Sequence, residues 1–398
     1  MKQITLIVIL FLFIGTVNAQ KSTQRQLNEY SSIDRVALQM PDSLTKTTDD
    51  IAYYINHTFK TNNEKVRAIF IWIATNIQYD IDNMFAINFY ESKEEKISNP
   101  LKTRKGICQN YAALFTDVCT KTGIKSFIIE GYTKQHGFTD YIPHAWCSAL
   151  IDGSWLLFDP TWGSGFINGG KYYKKIDNAY YKINPSSLLK SHMPFDFLWQ
   201  FVNYPITNQE FYEGKILEDK SKPYFNYVDS IENYEKQNAI EQLITSAKRI
   251  EKNGIKNSLL YDRLQHIKLE IDNDRQNKVV NLYNAAVFNY NEGISNFNLF
   301  IQYRNKQFTP LTTDPAIQSM MDVVVTNYST ASAKLNAIKN PDASNYNSML
   351  QLSKSIEEAE SHIKEQQAWL NTYFSKGKSG RKSMFYERKV TWFGIPLN

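Results

Sequence analysis

The fold of the chain is decided by residues 144–163, which read HAWCSALIDGSWLLFDPTWG. Two apolar runs flank Asp152-Gly153, and this dipeptide between apolar runs is typical of a two-residue β-hairpin turn. In that register Trp146 faces Asp159, and His144 lies diagonal to Asp159 on the same face of the sheet. A three-residue loop would instead put the His144 and Asp159 side chains on opposite faces.

A helix is predicted upstream of the hairpin, from Thr61 to Tyr79. Thr61 and Glu64 form a capping-box pattern, and the apolar residues recur at helical spacing, namely Val66, Ile69, Phe70, Ile73 and Ile77. The periodicity predicts one buried, apolar helix face.

A second helix is predicted after Gly106, and it stops at Gly123. The polar segment from Glu91 to Lys105 contains Asn99-Pro100 and is interpreted as a connection between the two helices.

The strands follow the helices along the chain. A strand from Ser126 to Tyr132 is predicted before the hairpin strands, Ala145 to Ile151 and Trp155 to Phe158. Because helices come first and an antiparallel sheet follows, the predicted fold class is α+β.

Residues 228–374 are predicted to form an all-α helical bundle, and packing alone explains their apolar residues. Glycine and proline almost disappear, and apolar residues recur at helical spacing in three segments. The members are Ile240, Leu243, Ile244, Ala247 and Ile250, ending at Asn253-Gly254; then Ile317, Met320, Met321 and Val324, with Asp314-Pro315 as cap and first residue; then Met349, Leu352, Ile356, Ala359, Ile363 and Leu370.

Composition and charge exclude several classes of protein. Of the 398 residues 42% are hydrophobic and 21% charged, which is typical of a globular chain and not of a disordered one. The net charge is +5, and the C-terminal tail (375–398) accounts for it with the basic residues Lys376, Lys378, Arg381, Lys382, Arg388 and Lys389 against Glu387. The rest of the chain is near neutral, which argues against nucleic-acid binding. The tail is either a solvated terminus or a contact for an anionic surface such as the cell envelope.

The first 19 residues resemble a secretory signal peptide. Lys2 precedes an apolar run from Leu6 to Ile14, and small residues precede a predicted cleavage after Ala19. The run is too short to span a bilayer comfortably, so no transmembrane segment is expected after cleavage. The chain is therefore predicted to be exported, to the periplasm or the extracellular space.

The three cysteines, Cys108, Cys119 and Cys147, cannot all form disulfides with one another, so at least one is a free thiol. Cys108 begins the second predicted helix, where free backbone N–H groups and the helix dipole favour a thiolate. Cys119 lies about 16 Å further along that helix, too far for a disulfide, and is predicted to be buried.

A thiolate nucleophile needs a base, and the base needs an orienting acceptor. The hairpin register supplies His144 and Asp159 for these roles. The other histidines, His57, His136, His192, His266 and His362, do not cluster with cysteines or carboxylates at metal-ligand spacing, so no metal site is predicted.

Three segments carry a resemblance: Gly106 to Ala112, His144 to Trp146, and Asp159 to Gly163. In order and spacing they resemble the Cys, His and Asp motifs of the transglutaminase-like superfamily. Further segments are similar to its bacterial and kyphoscoliosis-peptidase branches and extend the resemblance to roughly residues 30–215; they are Lys65 to Ile69, Trp72-Ile73, Ser191 to Pro194 and Trp199-Gln200.

The resemblance implies a papain-like core, helices packed on an antiparallel sheet, within a domain at 20–220. It also implies Cys108 as nucleophile, His144 as base and Asp159 as orienting carboxylate. Lys102 stands where papain-type proteases carry their oxyanion-hole glutamine. The backbone N–H of Cys108 is one expected oxyanion donor, and Trp72 or Tyr79 is a candidate for the second.

These observations predict an exported, cysteine-dependent acyl-transfer enzyme that needs no cofactor and acts on a protein or peptide. Hydrolysis of peptide or amide bonds is favoured, because transfer needs a site that positions an amine and excludes water. Protein crosslinking by a transglutaminase is the first alternative. A non-catalytic binding module on the same fold is the second.

Overall fold

The computed structural model describes residues 29–84, 91–134 and 142–386. The predicted signal peptide, His136 and the last twelve residues of the tail lie outside these ranges. The chain divides into two compact units, Met1–Lys268 and Leu269–Asn398. In the described part of the chain no helix combines the length and apolar character needed to cross a membrane.

The first unit contains most of the shorter helices. They are α1 (29–38), α2 (Thr48–Thr58), α3 (Asn62–Asn76), α4 (Lys93–Thr103), α5 (Cys108–Lys121), α6 (Pro185–Leu188), α7 (Asn208–Glu213), α8 (Tyr227–Lys236) and α9 (Ala239–Asn253). Both predicted helices upstream of the hairpin are present, as α3 and α5, but α3 ends at Asn76, and Gln78 and Tyr79, predicted as helix, form a short strand. The predicted capping box of α3 is formed in full by Thr61 and Glu64.

The interpretation of residues 91–105 as a connection is wrong, because most of the segment is the helix α4. Ser92 and Glu95 form a complete capping box at its start, a local signal that the sequence does contain. Pro100 lies inside the helix, although a proline in a helical pattern ordinarily indicates a break. Since proline has no N–H, the helix leaves the carbonyl of Lys96 without its usual partner.

The main sheet has the strand order β5-β4-β3-β8, with every neighbouring pair antiparallel. Its strands are β3 (Ser126–Thr133), β4 (Ile142–Ile151), β5 (Ser154–Phe158) and β8 (His192–Pro194). Two small pairs accompany it: β1 (Gln78–Tyr79) lies parallel to β2 (Lys105–Gly106), and β6 (Gly165–Asn168) forms a hairpin with β7 (Lys171–Lys174). The α+β class predicted from the sequence is confirmed.

The hairpin has the predicted two-residue turn. Ile151 pairs with Ser154, and the ladder continues outward in the same register to Cys147 opposite Phe158. Asp152 and Gly153 both have positive φ, 50° and 79°, as the turn of a tight hairpin requires.

Both faces of the sheet are buried. One face, with Ala145, Cys147 and Phe158, joins a core built with α2, α3 and α5. The other carries Trp146 and Leu157 into a second cluster that includes Ile231 of α8, so that helix packs within the first unit. The Trp146 ring of this second cluster lies 5.1 Å from the ring of His192 in β8.

The second unit is helical and its core lines up as the periodicity predicts. The helix α10 (Ser258–Asn305) begins in the first unit and continues into the second after Lys268. The other helices of the second unit are α11 (Asp314–Asn336), α12 (Ala343–Ser375) and α13 (Lys378–Ser383). One cluster buries the apolar residues of α11 and α12, among them Ile317, Met321, Val324, Leu352, Ile356, Ile363 and Leu370. The side chain that caps α11 is Thr313, one residue before the predicted cap, because its side chain accepts the N–H of Ala316.

Part of the basic tail is folded. Arg381 of α13 forms two hydrogen bonds to the carboxylate of Asp314, at 2.7 and 2.6 Å, and its guanidinium lies over the Tyr373 ring. Met384 is buried. Lys376, Lys378 and Lys382 remain exposed.

Candidate active site

Cys108 is the first residue of α5, as the sequence predicts, and it is half-buried. The first backbone N–H groups of a helix have no partner within the helix. Asn110 supplies one such partner, because its Oδ1 accepts the N–H of Ile107 at 2.9 Å. Gly106 has to be glycine here, since a Cβ at that position would lie 2.8 Å from the Cβ of Asn110.

The same Asn110 side chain ties α5 to α4. Its Nδ2 donates to the carbonyl of Lys96 at 3.0 Å, which is the carbonyl that Pro100 leaves without a helical N–H. The Asn110 side chain therefore supplies the hydrogen bond that Pro100 cannot donate to the Lys96 carbonyl. This contact holds the start of the Cys108 helix in place.

The hairpin brings His144 and Asp159 into contact. The Nε2 of His144 lies 2.8 Å from Oδ2 of Asp159, and their side chains are 6% and 0% exposed. Because Asp159 occupies Nε2, the ring nitrogen left to act on Cys108 is Nδ1. The Cys108 side chain is in reach, since its hydrogen bond and its charge are among the influences that raise the pKa of His144.

Asp159 accepts four donors within a buried site. Its Oδ1 accepts the backbone N–H groups of Thr161 and Trp162, at 3.0 and 3.1 Å. Its Oδ2 faces Nε2 of His144 and, at 3.1 Å, Nε2 of His192. The Asp-Pro-Thr-Trp segment thus folds back on its own carboxylate.

The expectation that His192 stands apart from carboxylates is wrong, since it lies in the centre of the site. Sequence spacing missed it because Asp159 and His192 are 33 positions apart. The tertiary contact arises where β8 pairs with β3, opposite Thr133. The signal that could have found it was the resemblance of Ser191 to Pro194, which singled out the segment without a role for the histidine.

The pKa of His144 is raised, whereas the pKa values of Asp159 and His192 are lowered. Burial disfavours the charged form of His144, but the Asp159 carboxylate and the Cys108 side chain outweigh it and raise the pKa of His144 to about 10. Burial also opposes ionisation of Asp159, yet His144 and His192 together hold the pKa of that carboxyl well below its ordinary value. Burial is the main cause that lowers the pKa of His192. At neutral pH the site thus holds an imidazolium, a carboxylate and a neutral imidazole.

The other two cysteines are buried and free. Burial raises the pKa of the Cys119 and Cys147 thiols, and both side chains are 0% exposed. Neither lies in a position to act as a thiolate near neutral pH.

The two candidates for the second oxyanion donor, Trp72 and Tyr79, have different surroundings in the structure. Trp72 is 2% exposed and packs in the core, with the Arg104 guanidinium 5.3 Å from its ring centroid. Tyr79 pairs with Gly106 through β1 and β2. Burial raises the pKa of Tyr79, and the charge of Cys108 contributes next. Lys102 is exposed on α4.

The ligand atoms of His144, Asp159 and His192 lie within 4.8 Å of one another, close enough to consider a metal. Tetrahedral zinc, with ligand distances of about 2.0 to 2.1 Å, separates its ligand atoms by about 3.3 Å. The 2.8 and 3.1 Å contacts to Asp159 Oδ2 are shorter than that. The observed geometry is that of hydrogen bonds.

Comparison with known proteins shows what the segment that carries this site is similar to. The family model of the transglutaminase-like superfamily matches residues 49–160, a segment that contains Cys108, His144 and Asp159. Human kyphoscoliosis peptidase is 29% identical over 199 residues, covering 48% of this chain and 29% of the relative. Hillarin of Drosophila melanogaster is 24% identical over 205 residues, covering 46% of this chain and 24% of the relative.

The chain thus spans less than a third of the length of these curated relatives. Among solved structures, the periplasmic domain of TgpA from Pseudomonas aeruginosa is 20% identical, with a TM-score of 0.24, and the match covers 29% of this chain and 42% of that one. The family match covers the segment that carries the three proposed site residues. Residues 49–160 therefore match a transglutaminase-like superfamily domain.

Proposed function

We propose that the protein is a cysteine-dependent acyl-transfer enzyme in which Cys108 is the nucleophile, His144 the acid and base, and Asp159 the orienting carboxylate. One observation carries the proposal: a half-buried thiol at a helix start couples to an imidazole whose far nitrogen is held by a buried carboxylate. Nucleophile, base and orienting group in that arrangement are what thiol acyl transfer needs.

The reaction follows from the atoms available. The Cys108 thiolate attacks the carbonyl carbon of an amide and forms a C–S bond, while the carbonyl electrons move to oxygen. When the tetrahedral intermediate collapses, the C–N bond breaks and the imidazolium of His144 gives its Nδ1 proton to the departing amine. Water then attacks the thioester, His144 takes the proton from that water, and the thiolate leaves.

Two donors are proposed for the oxyanion of the intermediate. The backbone N–H of Cys108 is one, because it lies at the start of α5. The Tyr79 hydroxyl is favoured over Trp72 as the second, because Tyr79 couples electrostatically to Cys108 whereas Trp72 packs in the core. Loss of one such donor costs on the order of 100-fold in turnover, so Tyr79→Phe should show a loss of that size with little change in KM.

Hydrolysis of peptide or amide bonds is the favoured outcome. A relative that shares 29% identity with this chain is named a peptidase. The alternatives are crosslinking through a second amine and non-catalytic binding. The acid and base assignments leave both enzymatic outcomes open, since they differ only in what attacks the thioester.

The test incubates the purified protein with mixed peptides and a primary amine and analyses the products by mass spectrometry. Shortened peptides indicate hydrolysis of the backbone, a gain of one mass unit at glutamine indicates deamidation, and amine adducts indicate transfer. Cys108→Ala should abolish all three, whereas a Cys119→Ala, Cys147→Ala double variant should retain the activity of the unmodified chain. A folded Cys108→Ala protein with undiminished product formation would refute catalysis by this thiol.

Export and envelope contact complete the proposal. The N-terminal pattern supports export to the periplasm or the extracellular space. Lys376, Lys378 and Lys382 are exposed and suit a contact with an anionic surface. Changing these three lysines to alanine should weaken sedimentation with anionic vesicles at low salt, because exposed charges are screened as salt rises. Unchanged sedimentation would leave a solvated terminus.

A further inference from the structure

A second histidine bonds the carboxylate of the proposed triad. His192 Nε2 lies 3.1 Å from Asp159 Oδ2, the same oxygen that His144 uses, and the His192 and Asp159 side chains are both 0% exposed. The Nδ1 of His192 lies 2.8 Å from Oγ of Ser191. Both ring nitrogens of His192 therefore have a hydrogen-bond partner: Asp159 at Nε2 and Ser191 at Nδ1.

These contacts define one tautomer. An ionised Asp159 only accepts, so Nε2 of His192 carries the hydrogen and donates it. The neutral ring then has Nδ1 as an acceptor, and the Ser191 hydroxyl donates to it. The lowered pKa of His192 agrees with this, because it keeps the ring neutral near pH 7.

The ring is held rigidly in place. Trp162 lies against it at a centroid distance of 4.5 Å and Trp146 at 5.1 Å, both edge to face. Strand β8 fixes the backbone of His192 against Thr133 of β3. A rigid neutral donor fixes the orientation of the Asp159 carboxylate without adding a charge to the site.

His192 is distinct from the proposed base. His144 couples directly to Cys108, whereas the causes that set the pKa of His192 are burial, Asp159 and His144. Its Nδ1 is also engaged by Ser191. His192 therefore acts on the reaction through Asp159.

We propose that His192 is a positioning residue: it donates from Nε2 to Asp159 Oδ2, and Ser191 fixes the tautomer that makes this donation. The proposal rests on the proposed function of Cys108, His144 and Asp159. With both imidazoles on Oδ2 and two backbone N–H groups on Oδ1, the carboxylate has a single orientation toward His144. Removing the His192 donor lets the carboxylate turn and stabilise the imidazolium of His144 less.

Three further titratable groups lie within the electrostatic influence of the carboxylate. Besides the two histidines, Asp159 influences the pKa values of Tyr79, Tyr180 and Cys147 through its charge. Burial raises the pKa of all three, so they stay neutral across the acid range in which the test is read.

The test measures iodoacetamide alkylation of Cys108 in the full chain from pH 4 to 9, with peptide mapping by mass spectrometry. In His192→Leu we expect the rate at pH 7 to fall about 10- to 100-fold, by analogy with the loss seen when the hydrogen-bond partner of a metal-ligating side chain is removed. The acid limb of the profile should move to higher pH, because the less stabilised imidazolium of His144 supports the reactive thiolate less well at a given pH. His192→Gln, which keeps a donor near the Nε2 position, should restore most of the rate.

Two matched variants sharpen the result. Ser191→Ala should shift the limb in the same direction by a smaller amount, because the ring remains but its tautomer is no longer fixed. His57→Leu, the same substitution at an exposed ring of α2, should leave the profile unchanged. A folded His192→Leu protein with an unshifted limb would overturn the proposal, and so would a rate loss that His192→Gln does not rescue.

A second readout does not depend on reactivity. Nitrogen-15 NMR at pH 7 should show His192 neutral, with hydrogen on Nε2; hydrogen on Nδ1 or a cationic ring would overturn the proposal even if His192→Leu fails to fold. If the unmodified chain alkylates Cys108 like an ordinary thiol and His144→Gln changes nothing, the proposed function fails instead. The two failures are therefore distinguishable.

Discussion

Replacing Asp159 by asparagine would test the relay that joins the carboxylate to the thiol. The substitution keeps the volume of the side chain and removes its charge. In the native site Oδ2 lies 2.8 Å from Nε2 of His144 and the Asp159 side chain is 0% exposed, so water screens the interaction little. An asparagine that turns its NH₂ group toward Nε2 would also force the His144 hydrogen onto Nδ1, the nitrogen that should accept from Cys108.

The expected size follows from that geometry. A charge partner at close range shifts a pKa by about 1 to 3 units, and a buried 2.8 Å contact belongs in the upper half of that range. The pKa of His144, now about 10, should therefore fall by about 2 to 3 units, and burial then acts without its main opponent. Each unit is a tenfold change in equilibrium. The equilibrium constant for proton transfer from Cys108 to His144 should therefore fall about 100- to 1000-fold.

The assay is iodoacetamide alkylation of Cys108 at pH 6.5, read by peptide mapping. Asp196→Asn is the matched control. It is a buried carboxylate in the same unit, it binds Arg249 at 2.7 Å, and it accepts a backbone N–H from Leu198, yet it lies outside the site. A folded Asp159→Asn protein that alkylates Cys108 as fast as the control would refute the reasoning, since the carboxylate would then have no influence on the thiol.

Three further predictions concern the same unit. Cys108 should react with iodoacetamide in the native protein at least tenfold faster than Cys119 and Cys147, whose pKa values burial raises, and equal labelling of all three would remove the basis for the nucleophile assignment. Asn110→Ala should lower the free energy of unfolding in urea by about 1 to 3 kcal/mol, because it breaks two hydrogen bonds of a buried side chain; an unchanged unfolding midpoint and slope would contradict this. The pKa of His144 is raised from 6.5 to about 10, so its contribution to stability is full below pH 6.5 and is lost as pH rises toward 10. Stability should fall over that window by at most about 1.4 kcal/mol per pH unit, and His144→Gln should flatten the slope; a native curve as flat as that of the variant would argue against the shift.

Local patterns in the sequence predicted much of the fold correctly. The capping box at Thr61, the start of the Cys108 helix and the two-residue turn at Asp152-Gly153 all depend on residues within a few positions of one another. The turn length then determines the strand register, and the register determines that His144 reaches Asp159. The contact between His144 and Asp159, 15 residues apart, could therefore be predicted, and the catalytic role of the two residues stays a prediction.

The rest depended on tertiary contacts. Residues 91–105 look like a connection because Pro100 breaks a helical pattern, and only the approach of Asn110 supplies the partner that lets the helix α4 tolerate it. His192 reaches Asp159 because β8 pairs with β3 at the edge of the sheet. The sequence pattern of residues 134–191 does not predict this pairing.

By itself, then, the sequence determined the α+β class, the helices with local caps, the hairpin register and the pairing of His144 with Asp159. Each of these follows from hydrogen bonds and side-chain spacing within one element or one turn. The tertiary structure alone decided the helix around Pro100 and the place of His192, which adds a donor to the Asp159 carboxylate. Those features join segments whose separation in the chain carries no information about their distance in space, and burial of the sheet between two clusters brings them together.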